Sequence, residues 1–374
     1  MQKYVQFLSV LLFVACIAAC GSSEVTTIPE TQIYEDDITV TTLTGVAKTA
    51  GSSDDSPATF NHPTDITTTD GSTFFIADYA NNAIRKVITT PTSVVSTLIC
   101  TTVTDGITTP AIFNGPFSLT KNGTYIYVVD NSSHTIRFID TDTNIVTTVG
   151  STLGLAGSVD STIPTDVLFY SPTGIATDGT YLYVADSGNH TIRKIEISSK
   201  AVSTLAGAAG LVGSTDSTDG TAARFNGPQR IAIVGEYLYV TDFYNRTIRK
   251  IDRSTGATTT LAGMPGPVGT SGGIADSTDV PGTGATARFN QPSGITTDGT
   301  TYLYVTDSYM NTIRKIVIST GETTTVSGIA GIAGFVDTVD GTPSFDTPIG
   351  ITTTDGVNLY VTDTNNNTIR KIAQ

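Results

Sequence analysis

The frame D-x-x-x-x-x-I-R occurs six times in this chain. The copies are 78-DYANNAIRKV-87, 130-DNSSHTIRFI-139, 186-DSGNHTIRKI-195, 242-DFYNRTIRKI-251, 307-DSYMNTIRKI-316 and 363-DTNNNTIRKI-372. Successive Asp residues are 52, 56, 56, 65 and 56 positions apart. Self-similarity at a long fixed period marks solenoids, propellers and arrays, in which each repeat is one supersecondary unit. It also weighs against reading an Asp–His–Arg cluster such as 186–195 as catalytic, because an enzyme needs its chemistry once and this cluster is built six times.

One repeat reads as four strands. The segment 225-FNGPQRIAI-233 is an apolar strand entered through a Pro turn, and 237-YLYVTD-242 is β-branched and aromatic, with Leu238 and Val240 on one face and Tyr237 and Tyr239 on the other, as a strand buried on both sides must be. A polar turn leads to 247-TIRKI-251, and 252-DRSTG-256 leads to a fourth strand, 257-ATTTLAG-263. This is an antiparallel meander the size of a propeller blade. First strands follow Phe60, Phe113, Phe169, Phe225, Phe289 and Phe345, each trailed three residues later by Pro. The sixth unit runs out at 371-KIAQ-374 without a fourth strand, and the spare copy is 38-ITVTTLTG-45. The expectation is an all-β, six-bladed β-propeller of four-stranded antiparallel blades over residues 38–374. The N-terminal strand 38–45 completes the last blade and so removes the raw edges of an open ring.

The N-H-T-I-R-K-I segment, the Y-L-Y-V-T-D strand and 219-DGTAARFNGP-228 together resemble NHL repeats. The resemblance covers residues 38–374 and implies the same six-bladed fold. Other propeller families fit less well: WD-repeat and kelch blades lean on Trp, of which this chain has 0, and the YWTD class lacks the Ile-Arg-Lys-Ile strand. Six-bladed relatives include metal-dependent amidating lyases and lactonase-like hydrolases, whose sites lie in the central channel. Along the inner strands here, Asp65 and Arg230 are the only charged departures before the strand ends.

The first residues, MQKYVQFLSVLLFVACIAAC, show a Lys, an apolar run and small residues, the pattern of a secretory signal. Its end, Ile17-Ala18-Ala19-Cys20, resembles the lipobox of bacterial lipoproteins. That resemblance implies a signal over 1–19, acylation of Cys20, and a tether over 20–37. The alternative is an ordinary secretory signal with an incidental Cys. By analogy with that family, Gly21 rather than Asp after the Cys implies an outer membrane or cell surface. Cys100 is then left alone, with no intrachain disulfide available. The net charge of −14 argues against nucleic acid, which needs Lys and Arg to replace phosphate counterions. It also argues against electrostatic docking on anionic lipid, so membrane contact is expected through the lipid anchor only, by a monomer.

The repeated residues Asp78, Asp130, Asp186, Asp242, Asp307 and Asp363, with Arg85, Arg137, Arg193, Arg249, Arg314 and Arg370, are assigned to structure because repetition demands it. His134 and His190 share one turn position with Asn82, Arg246, Asn311 and Asn367. In a meander the second-to-third turns and the fourth-to-first crossovers share a face. That face carries Asp-rich crossovers and the turn residues Tyr79, Phe243, Tyr244 and Tyr309. With His134, His190 and Arg246 they form the candidate surface for a protein, peptide or glycan. No cofactor is expected; calcium or another divalent metal is the alternative, although no loop has the D-x-[DN]-x-[DN]-G spacing of a calcium loop. The function expected is a binding scaffold rather than an enzyme, the alternative being a metal-dependent lyase or lactonase-like hydrolase in the channel.

Overall fold

The structure is a computed structural model and describes residues 38–374, apart from 91–92, 99–100, 105–106, 151–153, 266–279 and 339–341. The signal, Cys20, the tether and Cys100 therefore lie outside the described residues. Six sheets, each built on a four-stranded antiparallel meander, follow one another round a ring. Blade 4 shows the plan: Pro228–Val234 is innermost, followed by Tyr237–Asp242, Thr247–Asp252 and Thr258–Gly263. The strand Thr39–Gly45 is the outermost of blade 6, in register with Thr368–Ala373 from Thr39 opposite Ala373 to Gly45 opposite Thr368. The ring is thus closed by its own first strand, as expected.

Blade 2 has an element that its sequence does not announce. The hairpin Thr101–Thr104 and Ile107–Pro110 extends it to six strands, joining the outer strand Ile145–Val149 in parallel. Blade 5 gains a short edge strand, Gly282–Thr283.

The core is divided among the six seams. Between blades 3 and 4, Tyr183, Ala185 and Ile192 pack against Phe225, Leu238 and Val240. Between blades 6 and 1, Tyr360 and Ile369 pack against Phe60, Phe74 and Ile76. This is why the second strands are apolar on both faces: each side meets a neighbouring blade. Val40 of the closing strand is fully buried among blade 5 and 6 residues. At the axis the backbones nearly touch: a Cβ on Gly350 of blade 6 would lie 2.6 Å from Asp65 Cα of blade 1.

Candidate functional site

The turn after each second strand carries most of the singled-out residues, and its chemistry begins with the Asp. Asp242 accepts the Asn226 N–H at 2.8 Å with one oxygen, and Asn245 Nδ2 at 2.7 Å and Arg249 Nη1 at 2.8 Å with the other. Asp78–Arg85, Asp186–Arg193 and Asp363–Arg370 repeat the ion pair at 2.7, 2.8 and 2.7 Å, both partners buried. In blade 2 the Arg137–Asp130 approach is 3.8 Å, and Arg137 also binds Thr148 Oγ1 and the Ile112 carbonyl. Each Arg also lies over the Phe that opens its blade, from Arg85 on Phe60 at 5.0 Å to Arg370 on Phe345 at 5.1 Å. Burying a charge without partners is costly, and here the partners come as a set. The asparagines Asn81, Asn189, Asn245 and Asn366, three residues after the Asp, belong to the set through bonds to that Asp and to a crossover carbonyl. Their recurrence in the repeat was the signal that would have found them.

The crossover aspartates are half of the same device. Asp54, Asp160, Asp216 and Asp337 pair with Arg85, Arg193, Arg249 and Arg370 at 2.6, 2.5, 2.8 and 2.6 Å. Each also takes the N–H of an outer-strand residue: Thr97, Thr204, Thr260 and Thr42. The loop-bearing face is therefore less acidic in effect than its composition, since four of its carboxylates neutralise guanidiniums from below.

His134 and His190 are staples between blades. Both sit in the left-handed region, at φ 56° and 58°, and both accept through Nδ1 from the next blade, Ser171 N–H and Gly227 N–H, each at 3.0 Å. Asn82, Asn311 and Asn367 do the same through Oδ1, each at 2.8 Å. The shared demand of the position is thus an acceptor on a residue that tolerates positive φ, a stricter one than a polar turn. Burial lowers the His190 pKa, with the Asp242 charge opposing.

Large apolar side chains stand on this face. Leu155, Leu211 and Ile332 occupy one equivalent crossover position and are 54%, 53% and 54% exposed, while Tyr244 and Tyr309 are 46% and 63% exposed. Tyr79 and Phe243 are half-buried. The Tyr79 ring meets Phe117 edge-on at 5.7 Å, and Phe243 meets Tyr244 the same way at 4.9 Å.

The axis is closed just beneath. Arg230, from blade 4, reaches across it to the carbonyls of Thr173 at 2.5 Å, Phe117 at 2.8 Å and Thr64 at 3.1 Å, in blades 3, 2 and 1. Its Nε is 3.6 Å from Asp65 Oδ2, which also accepts Ser118 Oγ at 2.6 Å and Leu119 N–H at 3.0 Å. Phe117 lies over the guanidinium at 4.5 Å. Burial pushes the Asp65 carboxyl up and the Arg230 guanidinium down, each opposed by the other's charge. Below this plug a cavity of about 220 Å³ continues along the axis, lined by the inner strands of all six blades. The two charged departures from the inner-strand pattern thus meet each other, without a histidine. Among the described residues no group of three or more His, Cys, Asp or Glu is placed to hold a metal ion, and no helix is long and apolar enough to cross a membrane.

Comparison with known proteins agrees with this architecture. A model of the LVIVD repeat matches residues 172–207 and 228–247, in blades 3 and 4. NHL repeat-containing protein 2 of Homo sapiens is 28% identical over 302 residues, which is 71% of this chain; the chain spans 40% of that relative's length. An auxiliary nutrient binding protein from Bacteroides thetaiotaomicron superposes with a TM-score of 0.65 at 15% identity, covering 92% of this chain and 78% of its own. Virginiamycin B lyase from Staphylococcus aureus superposes with a TM-score of 0.51 at 15% identity, over 90% of this chain and 100% of its own. At such identities these two likenesses are of fold. The chain is a six-bladed β-propeller whose repeats are similar to those of NHL repeat-containing proteins.

Proposed function

We propose that this chain is an extracytoplasmic, lipid-anchored scaffold that binds its ligand on the loop-bearing face, outside the channel. The observation that carries the reading is the contrast between that face and the axis beneath it. At that end the axis is spanned by Arg230, bonded to carbonyls of three other blades. The face holds half-exposed Leu155, Leu211, Ile332, Tyr244 and Tyr309 on loops over a rigid ring, the arrangement that binding surfaces use. The fold likeness to a nutrient-binding protein is in keeping with it. The anchor rests on the lipobox-like Ile17-Ala18-Ala19-Cys20.

Two experiments test the two halves. Cells supplied with radiolabelled palmitate should label the protein and carry it into the detergent phase, whereas Cys20→Ala should be unlabelled and released. Labelling that survives Cys20→Ala refutes the anchor. The full-length protein in detergent, applied to glycan and peptide arrays, should bind a subset of them. A Tyr244→Ala/Tyr309→Ala variant with an unchanged melt should lose that signal; equal signal from both proteins refutes the assignment of the face.

A further inference from the structure

The seam between blades 4 and 5 is built unlike the others. At the staple position it has Arg246, which has no acceptor to offer. Arg246 nevertheless holds φ 61°, in the left-handed region where Asn is better tolerated. Its counterpart on blade 5 is also different. The residue before the Pro has positive φ in the five other blades, at His62, Gly115, Ser171, Gly227 and Thr347, whereas Gln291 lies outside that region. The Gln291 N–H turns instead to Asp307 Oδ1 at 2.8 Å, while Asn290 N–H takes the other oxygen at 2.8 Å.

The seam has therefore exchanged a staple for a cation. Among the described residues the half-buried Arg246 guanidinium is given no hydrogen bond, and the charge it faces is that of Asp307. Asp307 beneath it is fully buried and both its oxygens are committed to those N–H groups. Burial holds its carboxyl up to about 6, against the two N–H donors and the Arg246 charge.

The surroundings follow from the repeat. In blade 4, Gly227 sits between Ser187 of the preceding blade and the Tyr244 ring of its own. Gln291 holds that place in blade 5, and the residues equivalent to Ser187 and Tyr244 are Phe243 and Tyr309. By the repeat, the Arg246 cation, the Gln291 amide, the half-buried Phe243 and the 63% exposed Tyr309 belong to the same seam.

We propose that this seam is a subsite for an acidic glycan, with a uronate carboxylate on Arg246 and a sugar ring against Tyr309 or Phe243. A guanidinium matches a carboxylate with paired donors. Aromatic faces suit the flat C–H faces of sugar rings, and the Gln291 amide and Tyr309 hydroxyl suit ring hydroxyls. Tyr309, 63% exposed, offers its ring to a chain of sugars lying across the seam. The inference rests on the binding-scaffold reading and names its ligand chemistry.

The chain has 0 Trp, so tyrosine emission of the full-length protein in detergent reports a titration. Tetragalacturonate should bind about tenfold or more tighter than the neutral cellotetraose, the scale of one charge-assisted hydrogen bond. Arg246→Asn, which installs the residue that blades 1, 5 and 6 carry there, should melt no lower than the parent and erase the preference. Tyr309→Ala should weaken both sugars. Equal affinity for the two sugars overturns the subsite, as does an unchanged preference in Arg246→Asn, or a tetraglutamate peptide that competes as well as the uronate. If neither sugar binds, the subsite falls, while the scaffold reading is still decided by the arrays.

Discussion

A histidine here does the task of an asparagine, and that exchange is measurable. His190 accepts the Gly227 N–H only while Nδ1 is unprotonated, and its pKa in the fold is lowered from the ordinary 6.5. Between that lowered value and 6.5 the unfolded chain binds more protons, so stability falls as pH falls through this window and is complete above it. His190→Asn should flatten the decline in melting temperature between pH 7 and pH 5 without lowering the melt at pH 8; an identical decline in parent and variant would refute the staple. A larger effect belongs to Arg249, buried over Phe225 and bonded to Asp242 and Asp216. Arg249→Ala should cost about 3–5 kcal/mol in urea unfolding, because it strands a buried carboxylate. The Asp and Arg of the repeat were legible because their spacing is fixed. The left-handed backbone at His134 and His190 was not, although Asn at the same position in three other blades hints at it. The departure at Arg246 was visible as a letter; only the bonds made by its five counterparts show what it gives up.

At the scale of the strand, the sequence was legible wherever a strand is buried on both sides. The second and third strands fall where their aromatic and β-branched runs place them, since each face of a blade must be covered. The hairpin Thr101–Thr104 and Ile107–Pro110 escaped because it lies outside the repeat and at the edge of its sheet, where pairing leaves a weaker pattern than burial does. The closing strand was read from a count, five fourth strands after six third strands. Removing residues 38–45 strips the last blade of Val40 and of its pairing with Thr368–Ala373. The truncated protein should lose its single cooperative melt in calorimetry; a parent-like transition would contradict the closure. Gly350→Ala tests the opposite side of the same blade, because its Cβ would meet Asp65 Cα and the Thr64 carbonyl, both backbone atoms that cannot rotate away. A loss of about 1–3 kcal/mol is expected for such overpacking, read from the urea midpoint.

At the scale of the ring, what matters is which blades face one another. Arg230 and Thr64 are separated by 166 positions, and only closure brings them together across the axis. No local pattern encodes that meeting, so the plug could not be read from the chain, although its two charged residues could be singled out. Arg230→Met keeps the length and removes the donors, leaving Asp65 without its counter-charge; it should destabilise by about 3–5 kcal/mol, and urea unfolding at parent-like midpoints would deny the plug its role. The closing strand carries a further consequence in time. A ribosome delivers Thr39–Gly45 more than three hundred residues before the segment it pairs with, and until then that strand has nothing to zip onto. Synthesis, or passage across a membrane, must therefore be complete before the final blade can exist. Throughout that interval an extended, unpaired backbone needs shelter from other nascent chains.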